Sequence, residues 1–424
     1  MVDNQPPNGY NSTMIQRNIT QNILDALADT PVVLINGARQ TGKSTLVQAI
    51  AEQAHPARYI TLDTASVLAA ARNDAAGFLA GIDGAVVIDE VQKAPELFAA
   101  IKADVDRRRQ PGKFLLTGST NVLLVPGLSE SLAGRMELLS LWPFSQGELA
   151  GVKETFIDAL FADTFHLKNL PKEDPHDLRE KIIKGGYPEA INRLKEDRRQ
   201  AWFESYMTTI LQRDIRDMAN IEGLTNLPRL LAVIAARSPA LLNFAELSRT
   251  LAMPQSTLKR YMTLLSATFL IQLVPAWSGN LTKRLVKTPK IVMGDTGLMS
   301  HLLGVNQKRL NTGEMIGPLL ENFIIMEIKK QITWSAIKPQ IFHFRTQTGQ
   351  EVDIVLEDRA GNIVGIEVKA SATIHANDFK GLRAFAETAG KRFRRGIVLY
   401  TGTESIPFGE ALTALPVQIL WHNK

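Results

Sequence analysis

The sequence predicts an α/β chain with a parallel sheet in its first part, a helical middle and a second α/β unit at the end. Three observations carry this. Apolar runs of strand length, Val32 to Ile35, Ala85 to Ile88 and Lys113 to Thr117, alternate with helix-like stretches near the N-terminus. Such βαβ alternation implies a parallel sheet with helices on both faces. From about Glu148 to Glu222 the text is amphipathic at helical spacing, as in Trp202 to Leu211. Near the end, Gly349 to Leu356 and Gly365 to Lys369 read as strands joined through a turn over Asp358 to Asn362.

The first strand runs into Gly37-Ala38-Arg39-Gln40-Thr41-Gly42-Lys43-Ser44, which fits G-x-x-x-x-G-K-[ST] without a mismatch. Thr45 to Ile50 then reads as a helix start. A strand, a glycine-rich loop and a helix N-terminus make an anion cradle, because backbone N–H groups converge there and the helix dipole favours negative charge. Residues Gly37 to Thr45 are therefore the candidate ATP-binding set. Lys43 would reach the β- and γ-phosphates, and the Ser44 hydroxyl would hold Mg²⁺.

The second strand ends in Asp89-Glu90, an apolar strand capped by two acids. Beside a phosphate loop this is the Walker B pattern. Asp89 would hold the Mg²⁺, and Glu90 would polarise the attacking water. The third strand ends in Gly118-Ser119-Thr120-Asn121, so Asn121 or Ser119 is placed to sense the γ-phosphate. All three strand tips should lie together, since parallel sheets bind ligands at the carboxyl ends of their strands.

Composition narrows the remaining classes. The chain has 424 residues, 45% hydrophobic and 21% charged, with no cysteine. This length and balance suit several domains with ample cores. Zero cysteine excludes thiol catalysis, Cys-ligated zinc and iron–sulfur clusters, and fits a cytoplasmic location. No apolar run approaches a membrane span, and Met1 to Ser12 lacks the features of a signal peptide. The net charge of +5 is compatible with a nucleic-acid partner. The basic runs Arg107 to Arg109, Lys283 to Lys290 and Lys391 to Arg395 read as solvated surface.

In the middle, Leu230 to Ala236, Phe244 to Leu251 and Gln255 to Phe269 read as three helices followed by a hairpin. Asn243 caps the second and Pro254 opens the third. The spacing suits a winged helix, with Ser256, Thr257, Lys259 and Arg260 on the helix that would enter a DNA groove. The same residues would equally serve a packing module.

The C-terminal strands carry Asp353, Glu367 and Lys369. Strand alternation points Glu367 and Lys369 the same way, and antiparallel pairing brings Asp353 close to both. Glu321, on a helix upstream, would be a further acid. Oxygen ligands of this kind suit Mg²⁺ or Mn²⁺, and Lys369 would position water or stabilise developing charge.

The motifs taken together resemble a large bacterial and archaeal family of AAA+-like ATPases with a poorly understood C-terminal domain. The resemblance rests on Gly37 to Ser44, Val87 to Gln92, Leu116 to Ser119 and Ser131 to Arg135. It continues through Gly185 to Glu189, Arg213 to Ile215, Lys287 to Lys290 and Asp295 to Leu298. Ala38 stands where the family often has proline. Such ATPases often complete their site with an arginine, in cis or from a neighbouring subunit of a homo-oligomer; Arg135 and Arg213 are the candidates. The constellation of Glu321, Asp353, Glu367 and Lys369 resembles the PD-(D/E)XK nuclease superfamily, which implies a restriction-endonuclease-like fold there.

The expected organisation is a polar tail at 1–15, an ATPase domain at 16–150 and a helical lid or linker at 151–222. A winged-helix-like domain at 223–278 and a nuclease-like domain at 279–424 follow. The expected function is Mg²⁺-dependent ATP hydrolysis coupled to a DNA-directed nuclease-like module. The alternative is a regulatory ATPase switch whose C-terminal domain binds a protein or nucleic acid without cutting.

Overall fold

The computed structural model describes residues 15–120, 132–165, 175–216 and 226–422. The expected tail at 1–15 lies almost wholly outside them, and so does Asn121.

The first sheet holds β1 (Val32–Asn36), β2 (Arg58–Thr61), β3 (Val86–Asp89), β4 (Phe114–Gly118) and β5 (Met136–Ser140). Its order is β2-β3-β4-β1-β5, with every neighbour parallel. Strands β1, β3 and β4 are buried at every residue, which is why they read as unbroken apolar runs rather than alternating ones. Val32, Leu34, Val86 and Ile88 face one core, under helices Ala65–Asn73 and Glu96–Arg107. Val33, Ile35, Val87 and Leu115 face the other, under helices Thr20–Asp29 and Lys43–Gln53.

The middle contains the three expected helices, at Leu227–Arg237, Phe244–Leu251 and Gln255–Ala267. Asn243 caps the second by accepting from the Glu246 N–H. A small antiparallel sheet accompanies them: β6 (Ala240–Leu241), β7 (Ile271–Val274) and β8 (Lys290–Met293), in the order β6-β8-β7. Its central strand, β8, lies past the boundary expected at 278. The chain leaves the sheet after β7 and returns only at Lys290.

The last unit is a mixed six-stranded sheet: β9 (Gln340–Arg345), β10 (Glu351–Glu357), β11 (Ile363–Lys369), β12 (Phe393–Tyr400), β13 (Ile406–Pro407) and β14 (Leu412–Pro416). The order is β13-β14-β12-β11-β10-β9. Strands β9, β10 and β11 pair antiparallel, while β11, β12 and β14 run parallel. One face packs on helix Lys380–Ala389 through Phe385 and Leu382; the other joins a core running through Ile354 and Ile366 to Phe323, Leu230 and Phe203. The middle and C-terminal parts thus share one core, and the boundaries expected at 222 and 278 do not separate cores.

Helix Ile316–Ile332 is the axis of that shared core, with Leu319, Leu320, Phe323 and Ile324 buried. Asn322 fixes it to β8: its amide accepts from the Met293 N–H at 2.8 Å and donates to the Met293 carbonyl at 3.0 Å. A side chain there completes the pairing that a further strand would have supplied.

Candidate functional site

The phosphate loop joins β1 to helix Lys43–Gln53. Its geometry needs small residues where it presses on β5: a Cβ on Gly37 would sit 2.2 Å from the Leu141 carbonyl oxygen. Gly42 has φ +90°, a left-handed turn that directs the helix N-terminus into the loop. Lys43 is buried, and its ammonium donates to the Gly37 and Ala38 carbonyls at 2.9 and 2.8 Å. Burial lowers its pKa to about 8 in spite of the neighbouring Glu90 and Asp89.

Asp89 sits at the end of β3 and is saturated with donors. Ser44 Oγ donates to it at 2.9 Å, Tyr59 OH at 2.8 Å, and Thr117 Oγ1 more closely still. Glu90 follows in a left-handed conformation, φ 60°, with its N–H on Thr117 Oγ1 at 3.0 Å. The Gln92 amide donates both to the Glu90 carboxylate and to Ser119 Oγ, the latter at 2.9 Å. Lys43, Ser44 and Glu90 border a cleft of about 600 Å³, lined also by Arg39, Glu189 and Arg213 among others. The helical unit closes one side of this cleft. Arg213 and Asp214 lie in a π-helical turn, Ile210–Asp214, of the kind often found at functional positions.

The second cluster forms where β10, β11, β8 and helix Ile316–Ile332 meet. Strand β10 carries a bulge against β9 between Val352 and Val355. Val352 and Val355 therefore share one core, while Ile354 and Leu356 share the other. Bulges re-aim side chains in this way, and Asp353 sits within it. Asp353 Oδ2 accepts from the Val368 N–H at 3.0 Å. Lys369 donates to Glu367 at 2.9 Å.

Lys290, the first residue of β8, donates to Glu321 at 2.6 Å and to Asp353 at 3.3 Å. Burial and then the charge of Asp353 push the Glu367 pKa up to about 8 and that of Glu321 up to about 7. Burial opposes the charge on Lys290, but Asp353 and Glu321 outweigh it and raise its pKa. Glu367 Oε2 is buried without a hydrogen-bond partner.

The three acids do not converge on one cation position. Among the described residues, ligand atoms all within 4.8 Å of one another occur in a different group, the surface cluster His176, Asp177 and Glu180. Glu321 and Asp353 are instead bridged by the Lys290 ammonium, while Glu367 pairs with Lys369.

With this geometry in view, residues 29–150 match the AAA domain. The N-terminal unit is an AAA domain with a Walker-type phosphate loop. Residues 175–309 match a domain of unknown function (DUF8612), and residues 316–420 match another (DUF4143). The first of these spans β8, in keeping with the small sheet. Over 408 residues the chain is 29% identical to the uncharacterized protein Rv2008c of Mycobacterium tuberculosis and to the uncharacterized protein Mb2031c of Mycobacterium bovis. The alignment covers 96% of this chain and 84% of each relative.

Among solved structures it is similar to the Walker-type ATPase PABY2304 of Pyrococcus abyssi, at 15% identity and a TM-score of 0.45, over 70% of this chain and 98% of that one. The RuvB Holliday junction branch migration motor of Thermotoga maritima is similar at 19% identity and a TM-score of 0.31, over 61% and 89%.

The fold therefore gathers Gly37 to Thr45, Asp89, Glu90 and Ser119 at the carboxyl edge of the AAA sheet. Arg213 reaches the same cleft. Arg135 does not: it precedes β5 at the opposite edge, where its carbonyl accepts from the Val32 N–H and its guanidinium pairs with Asp106 at 2.5 Å.

Two basic runs read as solvated surface are partly structural. Lys290 is buried, and Arg394 pairs with Asp163 at 3.0 Å while Arg392 lies over Trp277. Tyr59, Gln92, Thr117 and Lys290 were not singled out as site residues, although Gln92, Thr117 and Lys290 lie inside the motifs Val87 to Gln92, Leu116 to Ser119 and Lys287 to Lys290. No helix among the described residues is long and apolar enough to cross a membrane.

Proposed function

We propose that this chain is a Mg²⁺-dependent ATPase that couples its nucleotide state to a DNA-directed C-terminal module. The observation that carries the reading is the meeting of Lys43, Ser44 and Glu90 at one cleft, with Asp89 hydrogen-bonded to Ser44 behind it. On ATP binding, Lys43 exchanges the Gly37 and Ala38 carbonyls for phosphate oxygens and neutralises their charge. Ser44 and Asp89, already in contact, are the pair suited to hold Mg²⁺, which screens phosphate charge when bound. Glu90 orients a water and takes its proton, with Gln92 and Ser119 fixing the carboxylate. Arg213 supplies positive charge from the helical side. Arg135 could serve only the site of a neighbouring copy.

Coupling is supported by helix Ile316–Ile332. It carries Glu321 toward one end. Toward the other, Glu327 accepts from the Gln146 N–H at 2.9 Å and Lys330 donates to the Phe144 carbonyl at 2.9 Å, both on the segment leaving β5. A DNA partner is supported by the exposed Ser256, Lys259 and Arg260 on helix Gln255–Ala267 and by the net positive charge.

The test measures Mg²⁺-dependent ATP hydrolysis and, in parallel, DNA binding across a salt series with and without ATP. Phosphate contacts must weaken as salt rises. ATP turnover that survives Lys43→Ala sinks the ATPase assignment. DNA affinity that ATP leaves unmoved sinks the coupling.

Nuclease chemistry with Mg²⁺ or Mn²⁺ at Glu321, Asp353 and Glu367 is the bolder form of this reading. The residue types suit it, but the acids as arranged do not fit a shared ion. The bridging Lys290 favours the second reading, a nucleotide switch whose C-terminal domain binds without cutting.

A further inference from the structure

We infer that a second cleft, between the end of the AAA sheet and the C-terminal sheet, binds a small apolar molecule carrying one carboxylate, with Lys329 receiving the anion. Among the described residues this cleft shares no lining side chain with the nucleotide cleft. Its size, its unpaired ammonium and its exposed apolar wall each point to such a ligand.

The cleft has a volume of about 680 Å³. Sites for small molecules run to about 300–1,000 Å³ and are mostly apolar with a few placed polar groups. Four parts of the chain build the walls: Trp142 just beyond β5, Ile332 on helix Ile316–Ile332, Ile341 and Phe342 on β9, and Leu285 on the short helix Leu281–Val286.

Lys329 lines this cleft and is half-buried. Its ammonium donates to the Gln272 side-chain oxygen at 3.2 Å and lies 5.6 Å from the centre of the Trp142 ring. No carboxylate among the described residues pairs with it, and burial lowers its pKa to about 8 with no neighbouring charge to raise it. The next residue shows what folding does where a lysine is structural. Lys330 is buried, pairs with Glu327 at 2.6 Å and donates to the Phe144 carbonyl. A charge taken out of water without a counter-charge is costly, and an anion that enters beside Lys329 removes that cost through a charge-assisted hydrogen bond.

The other cation on the cleft, Arg284, is already held by Glu357 at 2.6 Å. One positive charge on the lining is thus left to match, which fits a monoanion rather than a polyphosphate. The outer wall supplies the apolar half of the chemistry. Leu281 and Leu285 are 71% and 87% exposed, so folding leaves them in water at the mouth of the cleft. An apolar tail laid against them takes that surface out of water.

The experiment is equilibrium dialysis of the full chain, without nucleotide, against radiolabelled decanoate below its micelle concentration. Octanoate and decan-1-ol are measured alongside, and wild type is compared with Lys329→Met and Leu285→Asp. Wild type should bind decanoate saturably and roughly tenfold more tightly than octanoate, since each buried methylene is worth about fourfold. Lys329→Met should weaken decanoate by about tenfold or more, the scale of a hydrogen bond to a charged group, and leave decan-1-ol unweakened. Leu285→Asp changes an exposed position, so the fold tolerates it, and it should weaken decanoate by a similar factor. Absence of saturable binding to wild type overturns the inference. So does a Lys329→Met chain that loses decanoate and decan-1-ol equally, or neither. If decanoate fails to bind and Leu285→Asp turns a dimer into a monomer in analytical ultracentrifugation, a second copy covers the cleft and the inference is wrong.

Discussion

Arg39 of the phosphate loop is ion-paired with Asp214 of the helical unit at 2.6 Å. Asp214 is almost fully buried, whereas Arg39 keeps about a quarter of its side chain exposed. The Tyr206 hydroxyl adds a long contact to the Arg39 carbonyl at 3.4 Å. The loop that should bind phosphate is therefore tied to the turn that places Arg213 at the cleft. Asp214→Asn leaves Arg39 facing a neutral amide in a half-buried place. Such losses cost about 1–3 kcal/mol, and urea unfolding at neutral pH should show a shift of that size. An unchanged midpoint would mean that the pair does not hold the two units together.

Lys43 and Glu90 should fail in different ways. Lys43→Ala removes the buried loop ammonium placed to neutralise phosphate charge, so ATP binding and turnover should both fall. Removing one preorganised electrostatic donor costs on the order of 10²–10³ in rate. Glu90→Gln keeps the shape and the contact to Gln92 but removes the proton acceptor. It should retain ATP binding and lose about 10²-fold or more in turnover. Equilibrium binding of a fluorescent ATP analogue, set beside a phosphate-release assay, separates the two. Equal loss of binding in both variants would contradict the roles given to them.

Gly185, the first residue of the motif Gly185 to Glu189, has a packing role. Its φ is +67°, and a Cβ there would lie 2.2 Å from Asp295 Oδ1. Asp295 in turn accepts from the Gly186 N–H at 2.8 Å and caps the next helix at Leu298. Gly185→Ala meets both a disfavoured backbone and a clash with this buried carboxylate. The expected loss is about 1–3 kcal/mol. Thermal unfolding checks it, and a variant as stable as wild type would show that the turn can relax.

What could be read in advance followed from where physics acts locally. The phosphate loop and Asp89-Glu90 were legible because strand, loop and helix each leave their own mark on the sequence. The pairing of β10 with β11 was legible from strand alternation and a short turn. Lys290 was not, since a buried lysine bonded to Glu321 looks in sequence like any member of a basic run. The bulge at Asp353 was hidden too, because it depends on pairing with β9. The shared core around Phe323 escaped for a similar reason: helix Ile316–Ile332 is apolar on most sides, and sequence shows that it is buried but not between what.

Glu154 sets a pH dependence unrelated to the nucleotide site. Burial, with Glu327 and Glu148 nearby, raises its pKa to about 8 from an ordinary 4.5. Its Oε1 accepts from the Gly147 N–H at 2.8 Å, and Asn18 donates to Oε2 at 2.5 Å. The folded chain thus holds a proton that the unfolded chain releases near pH 4.5. That contribution to stability is complete below about 4.5 and is lost as pH rises through about 8. Each unit of difference corresponds to about 1.4 kcal/mol between the two protonation states. Glu154→Gln keeps a neutral acceptor for Gly147 but meets the Asn18 amide with a second donor. It should lose roughly 1 kcal/mol near pH 5 and then fall less steeply than wild type toward pH 8.5. Glu321 and Glu367 act with the same sign, so the slope should shrink rather than vanish. Unfolding free energies measured at intervals across that range decide the matter, and parallel curves for variant and wild type would show that Glu154 is already ionised in the folded chain.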